Sequence, residues 1–218
     1  MRKTSFANGE FYHLYNRGVD KRAIFSDRHV LERFFQSMKE FNVDEPIGSI
    51  YANTFHKNKL SGSTTKSKRK LVNFICYCLN PNHYHFILEQ VIDKGVEKFM
   101  HKLSTGYTRY FNEKYQRSGS LFQGRFKAIH ISSNEYLLHL SAYVNLNNRV
   151  HRLSGSTTNF VKSSWGEYTT GGVNFCNKEI VLAQFNDTSA YMKMAEESLN
   201  GIIERRMGGK DLDKILLE

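Results

Sequence analysis

Two spacings of hydrophobic residues run along the chain, one near two and one near 3.6, and their order predicts its elements. Phe11–Asn16 (FYHLYN) reads as a first strand, closed by Arg17-Gly18. Val30, Leu31, Phe34, Phe35, Met38 and Phe41 fall on one stripe of a helix that Ser26 or Asp27 can cap. Ile47–Ala52 is a possible second strand, and the polar, basic run His56–Lys70 reads as a loop. Leu71–Leu79 (LVNFICYCL) is apolar on both alternating faces, as a central strand is. The Asn80-Pro81-Asn82 turn then returns the chain along His83–Gln90 (HYHFILEQ). Val96, Phe99, Met100, Leu103, Tyr107 and Phe111 mark a long helix that Ser118-Gly119-Ser120 ends. Leu121–Ile131 is a further strand, and Ser132 with Glu135 forms a capping box for a helix running to about Asn147. Strand, helix, hairpin, helix, strand predicts an α+β fold, one antiparallel sheet with helices on one face.

The character changes near residue 150, dividing the chain into regions 1–150 and 151–218. Leu153–Asn159 reads as a linker, and short helical pieces follow at Glu179–Phe185, Tyr191–Arg206 and Asp211–Leu217. This helical C-terminal extension shows no chemistry of its own. The 218 residues are 40% hydrophobic and 24% charged, which excludes a disordered or fibrous chain. No run approaches the ~20 apolar residues of a membrane span, and no apolar leader follows Met1. The expectation is a cytoplasmic protein, without a membrane partner. Cys76, Cys78 and Cys176 contain no C-x-x-C, which argues against a zinc site or a disulfide framework.

Charge narrows the partner. The formal net charge is +10, and residues 1–150 carry 23 basic against 12 acidic residues while 151–218 carry 8 against 9. A basic body of this kind points to a polyanion, nucleic acid ahead of a membrane surface. Candidate contacts are Arg17, the loop residues Lys66, Lys68, Arg69 and Lys70, and the strand residues Arg125 and Lys127. Tyr12, Tyr15 and Phe122 are candidates to stack on unpaired bases.

The sharpest chemical feature is His83-Tyr84-His85. On a strand the two imidazoles share a face, roughly 6–7 Å apart, and suit one divalent cation, while Tyr84 turns to the core. Tyr143 and Asn147 follow on one side of a later helix, 58 residues and more after His85. A tyrosine hydroxyl can attack phosphorus when a metal neutralises the phosphate, and an asparagine oxygen can serve as a ligand.

Four motifs then appear in order: Tyr12-His13-Leu14-Tyr15-Asn16-Arg17-Gly18, Asn80–Leu88, Gly119–Lys127, and Tyr136-Leu137-Leu138 with Tyr143–Asn147. Together, over roughly residues 8–150, they resemble the single-tyrosine HUH transposases of IS200-like insertion sequences, above all the REP-associated tyrosine transposases. Trp165–Tyr168 also fits that branch. The resemblance implies a ferredoxin-like nuclease domain acting on single-stranded or hairpin DNA, and a nucleoid-associated location. It makes His83, His85 and Asn147 ligands of Mg2+ or Mn2+, and Tyr143 the nucleophile that forms a 5′-phosphotyrosine. It leaves open a homodimer or a monomer, and a chain that binds DNA as a regulator without cutting it. Relatives often carry Asn-Pro-Val-Arg-Ala after the tyrosine helix, whereas this chain has Asn147-Asn148-Arg149-Val150, so the proline that ends the helix is missing.

Overall fold

The computed structural model of the chain describes residues 4–50, 69–151, 160–171 and 175–207. Five antiparallel strands form its centre: β1 (Phe11–Arg17), β2 (Val72–Asn80), β3 (His83–Gln90), β4 (Lys127–His130) and β5 (Lys162–Ser163), in the order β4-β1-β3-β2-β5. Two long helices connect them, α1 (Arg28–Glu40) between β1 and β2 and α2 (Gly95–Lys114) between β3 and β4. This is the β-α-β-β-α-β arrangement of the ferredoxin-like fold, extended at one edge by β5.

Local chemistry explains most boundaries. Asp27, not Ser26, caps α1, its carboxylate accepting the Val30 N–H at 2.8 Å. Buried Asn42 caps the start of β2, its amide oxygen accepting from Leu71 N and Val72 N and its amide nitrogen donating to Val72 O. Ser133 rather than Ser132 caps the next helix, α3 (Asn134–Asn145), accepting from Tyr136 N, so the expected Ser132/Glu135 box is not used. Of the expected strand Ile47–Ala52, residues 47–49 are irregular and Ile50 is helical, and 51 and 52 lie outside the described residues. Within Leu121–Ile131 only Lys127–His130 is a strand, because Gly119 and Gly124, both at positive φ, bend the preceding segment.

The sheet is covered on both faces, not one. Leu14, Phe74, Tyr77, Tyr84 and Phe86 meet α1 and α2 on the first. Ile75, Cys76, Cys78 and Ile87 meet α3 on the second. The helices that cross between strands take one side, as the sequence pattern requires, and the additional helix has only the other face left to cover. A β-bulge decides what faces α3. The register of β2 slips between Phe74 and Cys76, so Ile75 and Cys76 enter the same core and the alternation is reset. Cys78 and Asn80 thereby fall on the face of His83 and His85.

After α3 the backbone breaks at Leu146 and resumes as a single turn, α4 (Asn147–Val150). The later segment is α5 (Trp165–Thr169), α6 (Glu179–Leu182) and α7 (Thr188–Met207). The expected helix Asp211–Leu217 and the linker Leu153–Asn159 lie outside the described residues. Tyr168, Val181, Tyr191, Ala195 and Leu199 are buried in the second core, where Tyr168 donates to Ile75 O. The C-terminal region therefore builds the wall that holds α3. Among the described residues no helix is long and apolar enough to cross a membrane.

Candidate functional site

A cavity of about 610 Å3 opens at the β2–β3 hairpin end of the sheet, on the α3 side. Antiparallel register assembles its floor. Tyr15 pairs with His85 and Arg17 with His83 across β1 and β3, while Tyr15 pairs with Lys127 across β1 and β4. Residues opposite one another in a ladder share a face, so three strands contribute aromatic, imidazole and cationic side chains to one surface. Tyr143, from the last turn of α3, forms the wall. Its ring stands nearly perpendicular to that of His85, with centroids 5.5 Å apart, although only 4% of the residue is exposed.

His83 is held from both sides. Its Nδ1 is 2.7 Å from Asn82 Oδ1, and its Nε2 is 3.1 Å from Asn147 Oδ1. Asn80 lies between these groups, with Nδ2 3.0 Å from His83 Nε2 and 2.7 Å from Asn147 Oδ1. The break at Leu146 permits this: it starts a new turn at Asn147 and seats that residue fully buried against the hairpin. The sequence lacks the helix-ending proline at this place, and the backbone break does the same work.

Burial sets the electrostatics. It pushes the imidazolium of His83 below its ordinary range, an effect opposed by the Asn147 oxygen and reinforced by the Arg17 charge. Burial also drives His85 well below that range, with His13, His83 and His151 adding to the effect. Both rings are neutral at neutral pH and able to offer a nitrogen lone pair. These donors suit a divalent cation. His83 Nε2 and Asn147 Oδ1 already converge on one electropositive group, the Asn80 amide. Among the described residues no three His, Cys, Asp or Glu side chains are arranged to hold a metal ion together, so the donor set is two imidazoles and an amide, without a carboxylate.

Of the expected DNA contacts, Arg17, Arg125 and Lys127 line the cavity, with Arg17 Nε bonded to Gln123 Oε1 and the Lys127 ammonium 5.5 Å from the Tyr15 ring centroid. Arg69 and Lys70 do not join them. They precede β2, at the end of that strand remote from the hairpin, and Arg69 pairs with Asp44 at 3.6 Å. Lys66 and Lys68 lie outside the described residues. Tyr12 and Phe122, expected to stack on bases, are packed in the first core, and only Tyr15 of the three faces the cavity. Two lining residues lie outside every motif of the sequence reading, Lys21 and His151, the latter with its ring 4.6 Å from that of His83. Each sits in a turn whose placement follows from the folded backbone. Lys21 belongs to a 3-10 turn (Val19–Lys21) in which both Asp20 and Lys21 adopt positive φ.

The family model described as "Transposase IS200 like" matches residues 50–169, more than half of the chain. No curated protein matches. A solved structure of a REP-associated tyrosine transposase bound to a REP hairpin is similar at 12% identity and a TM-score of 0.48, covering 79% of this chain and 86% of that one.

Proposed function

Since the chain belongs to the IS200-like transposase family, we propose that it is a metal-dependent single-stranded DNA endonuclease and strand transferase acting through Tyr143. The substrate is DNA that bears hairpins, as in the repeats suggested by the motif order. The observation that carries this reading is the meeting of Tyr143, His83 and His85 of one chain in a cavity rimmed by Arg17, Lys21, Arg125 and Lys127, with Asn147 buried against His83. A tyrosine of the same polypeptide serves each site, so a second copy is not needed to complete it.

Each group has a task. The four cations draw the phosphate backbone into the cavity and leave its register to the walls. Tyr15 offers a ring face to an unpaired base, which a duplex does not expose. His83, His85 and Asn147 would hold a Mg2+ or Mn2+ ion, which supplies charge neutralisation at the scissile phosphate and the leaving oxygen. Tyr143 Oη attacks the phosphorus and loses its proton to solvent. The bond from phosphorus to the 3′ oxygen breaks, and that oxygen takes up a proton to become a free 3′-OH. The DNA remains joined to Tyr143 through its 5′ phosphate. Because the phosphoester is retained, a different 3′-OH can attack it and release Tyr143, which joins new ends without ATP. Imidazoles suit Mn2+ better than Mg2+, so Mn2+ should support faster cleavage.

The test is a denaturing gel of labelled hairpin oligonucleotide with Mn2+. Wild type should yield a cleaved strand and a protein–DNA adduct. Tyr143→Phe should yield neither, and should still retard the oligonucleotide in a native gel. Cleavage by Tyr143→Phe at the wild-type rate sinks the assignment. Binding without cleavage by the wild-type chain would make it a regulator of the same fold.

A further inference from the structure

The polar neighbour of His85 on its own sheet face is His13, a residue with no task in the reaction above. His13 pairs with Ile87 in the β1–β3 ladder, one diagonal step from His85. Its Nε2 is 3.0 Å from His85 Nδ1. The two rings stack with centroids 5.2 Å apart and 16° between their planes, and the Tyr143 ring meets His13 edge-on at 6.2 Å. The imidazole is wholly buried, and its other nitrogen, Nδ1, has no hydrogen-bond partner. An unpartnered polar atom in a dry interior is unfavourable, and an apolar side chain of similar volume would avoid it. Packing alone does not account for a histidine here.

We propose that His13 is a positioning residue: it accepts the Nδ1–H of His85 and so holds His85 in the tautomer whose Nε2 is bare. The inference rests on the reading of His85 as a cation ligand. A neutral imidazole carries one proton on two nitrogens. If Nε2 is to bind a cation, the proton must sit on Nδ1, and a buried N–H there needs an acceptor. His13 Nε2 is the partner that the structure gives it. The reverse arrangement, with His13 donating, would place the His85 proton on Nε2 and block the ligand. Stacking against Tyr15, at 5.1 Å between centroids, fixes the plane of the His13 ring from its own strand. An acceptor for His85 is thus built into β1, and the cost is a nitrogen of His13 without a partner.

The test compares full-length wild type with His13→Leu, His13→Gln and His85→Ala, reading Mn2+ binding by electron paramagnetic resonance and thermal stability by calorimetry. His85→Ala should lose the Mn2+ signal. His13→Leu should weaken Mn2+ binding roughly 10–100-fold, the usual effect of losing a ligand's outer partner, with Tm unchanged or raised. His13→Gln, whose carbonyl can accept the same N–H, should recover most of the affinity. A His13→Leu chain that binds Mn2+ as wild type does overturns the proposal, as does a loss of affinity that tracks a lowered Tm and that Gln does not rescue. Absence of a His85-dependent signal in wild type itself overturns the cation reading, and the positioning role falls with it. Should His13→Leu fail to fold, nitrogen-15 spectra of wild type with Mg2+ decide the matter. A His85 proton on Nδ1 supports the proposal, and a proton on Nε2 overturns it.

Discussion

Tyr15 meets the cavity with one face on His85, at 5.6 Å and 17° between planes, and with the Lys127 ammonium nearby. Replacing it by Ala removes a stacking surface, which should weaken single-strand binding by about 1–3 kcal/mol in a fluorescence titration while leaving duplex binding nearly unchanged. Equal losses for both forms would mean that the ring does not read unpaired bases. Gly18 is constrained by space, not by its dihedral angles. A Cβ there would lie 2.3 Å from Arg22 O, so Gly18→Ala must push apart the turn that carries Lys21. Lowered Tm together with weakened DNA binding is the expected outcome, and unchanged values of both would contradict the close approach. His13 shows where residue-level reading stops. Its spacing places it on one face with Tyr15 and Arg17, but its pairing with His85 depends on the β1–β3 register, which no local pattern encodes.

The helices depend on polar groups at their ends and flanks. Asp27 combines a cap with an ion pair. Partial burial alone would raise its carboxyl, but Lys114, the Val30 N–H and the Tyr115 hydroxyl together bring it down to about 2. A carboxyl lowered on folding contributes stability above its unfolded value, about 3.9, and loses that contribution as pH falls through the folded value. Asp27→Ala should therefore cost about 1 kcal/mol between pH 5 and 7 in urea unfolding, and the difference should shrink towards pH 2. A constant difference down to pH 2 would assign the effect to packing. On the other face, Tyr191 of α7 receives the Asn145 amide at 2.9 Å, and Ser164 donates to the other atom of the same amide. Tyr191→Phe leaves the buried Asn145 donor without a partner, a loss of about 1–3 kcal/mol, and loosens the helix that carries Tyr143. Most of these elements are legible in the sequence. His83–Gln90 has the expected bounds because turn chemistry precedes it and alternation runs through it. The cap of α3 is not, since Ser132 and Ser133 are equally able acceptors and only the backbone chooses. The bulge at Ile75 is likewise hidden in a segment apolar on both faces from Phe74 to Leu79, yet it sets which face Asn80 joins.

For the whole molecule, the described basic residues expected to meet DNA separate into a cavity group, Arg17, Arg125 and Lys127, and a pair before β2, Arg69 and Lys70. Each phosphate neutralised on a single strand contributes roughly 0.7 to the slope of log affinity against log salt. Lys127→Ala or Arg125→Ala should lower that slope by about this amount, while Arg69→Ala, already paired with Asp44, should leave it unchanged. The reverse result would move the DNA path to the other end of the sheet. The tail after residue 150 reads as an addition in sequence because a polar linker opens it, its helical pieces are short and its charge is balanced. In the fold its apolar residues close the second core, a role that appears only once α3 has a face to fill. The hairpin tip has a further consequence. Pro81 O receives both Ile24 N and Phe25 N, at 2.7 and 3.0 Å, and Asn82 O receives Gly18 N at 2.8 Å. The segment that links β1 to α1 is thus bolted to the turn of the β2–β3 hairpin. Its amide protons should exchange with deuterium as slowly as those of β3, which would make the mouth that admits a strand one of the least yielding parts of the protein.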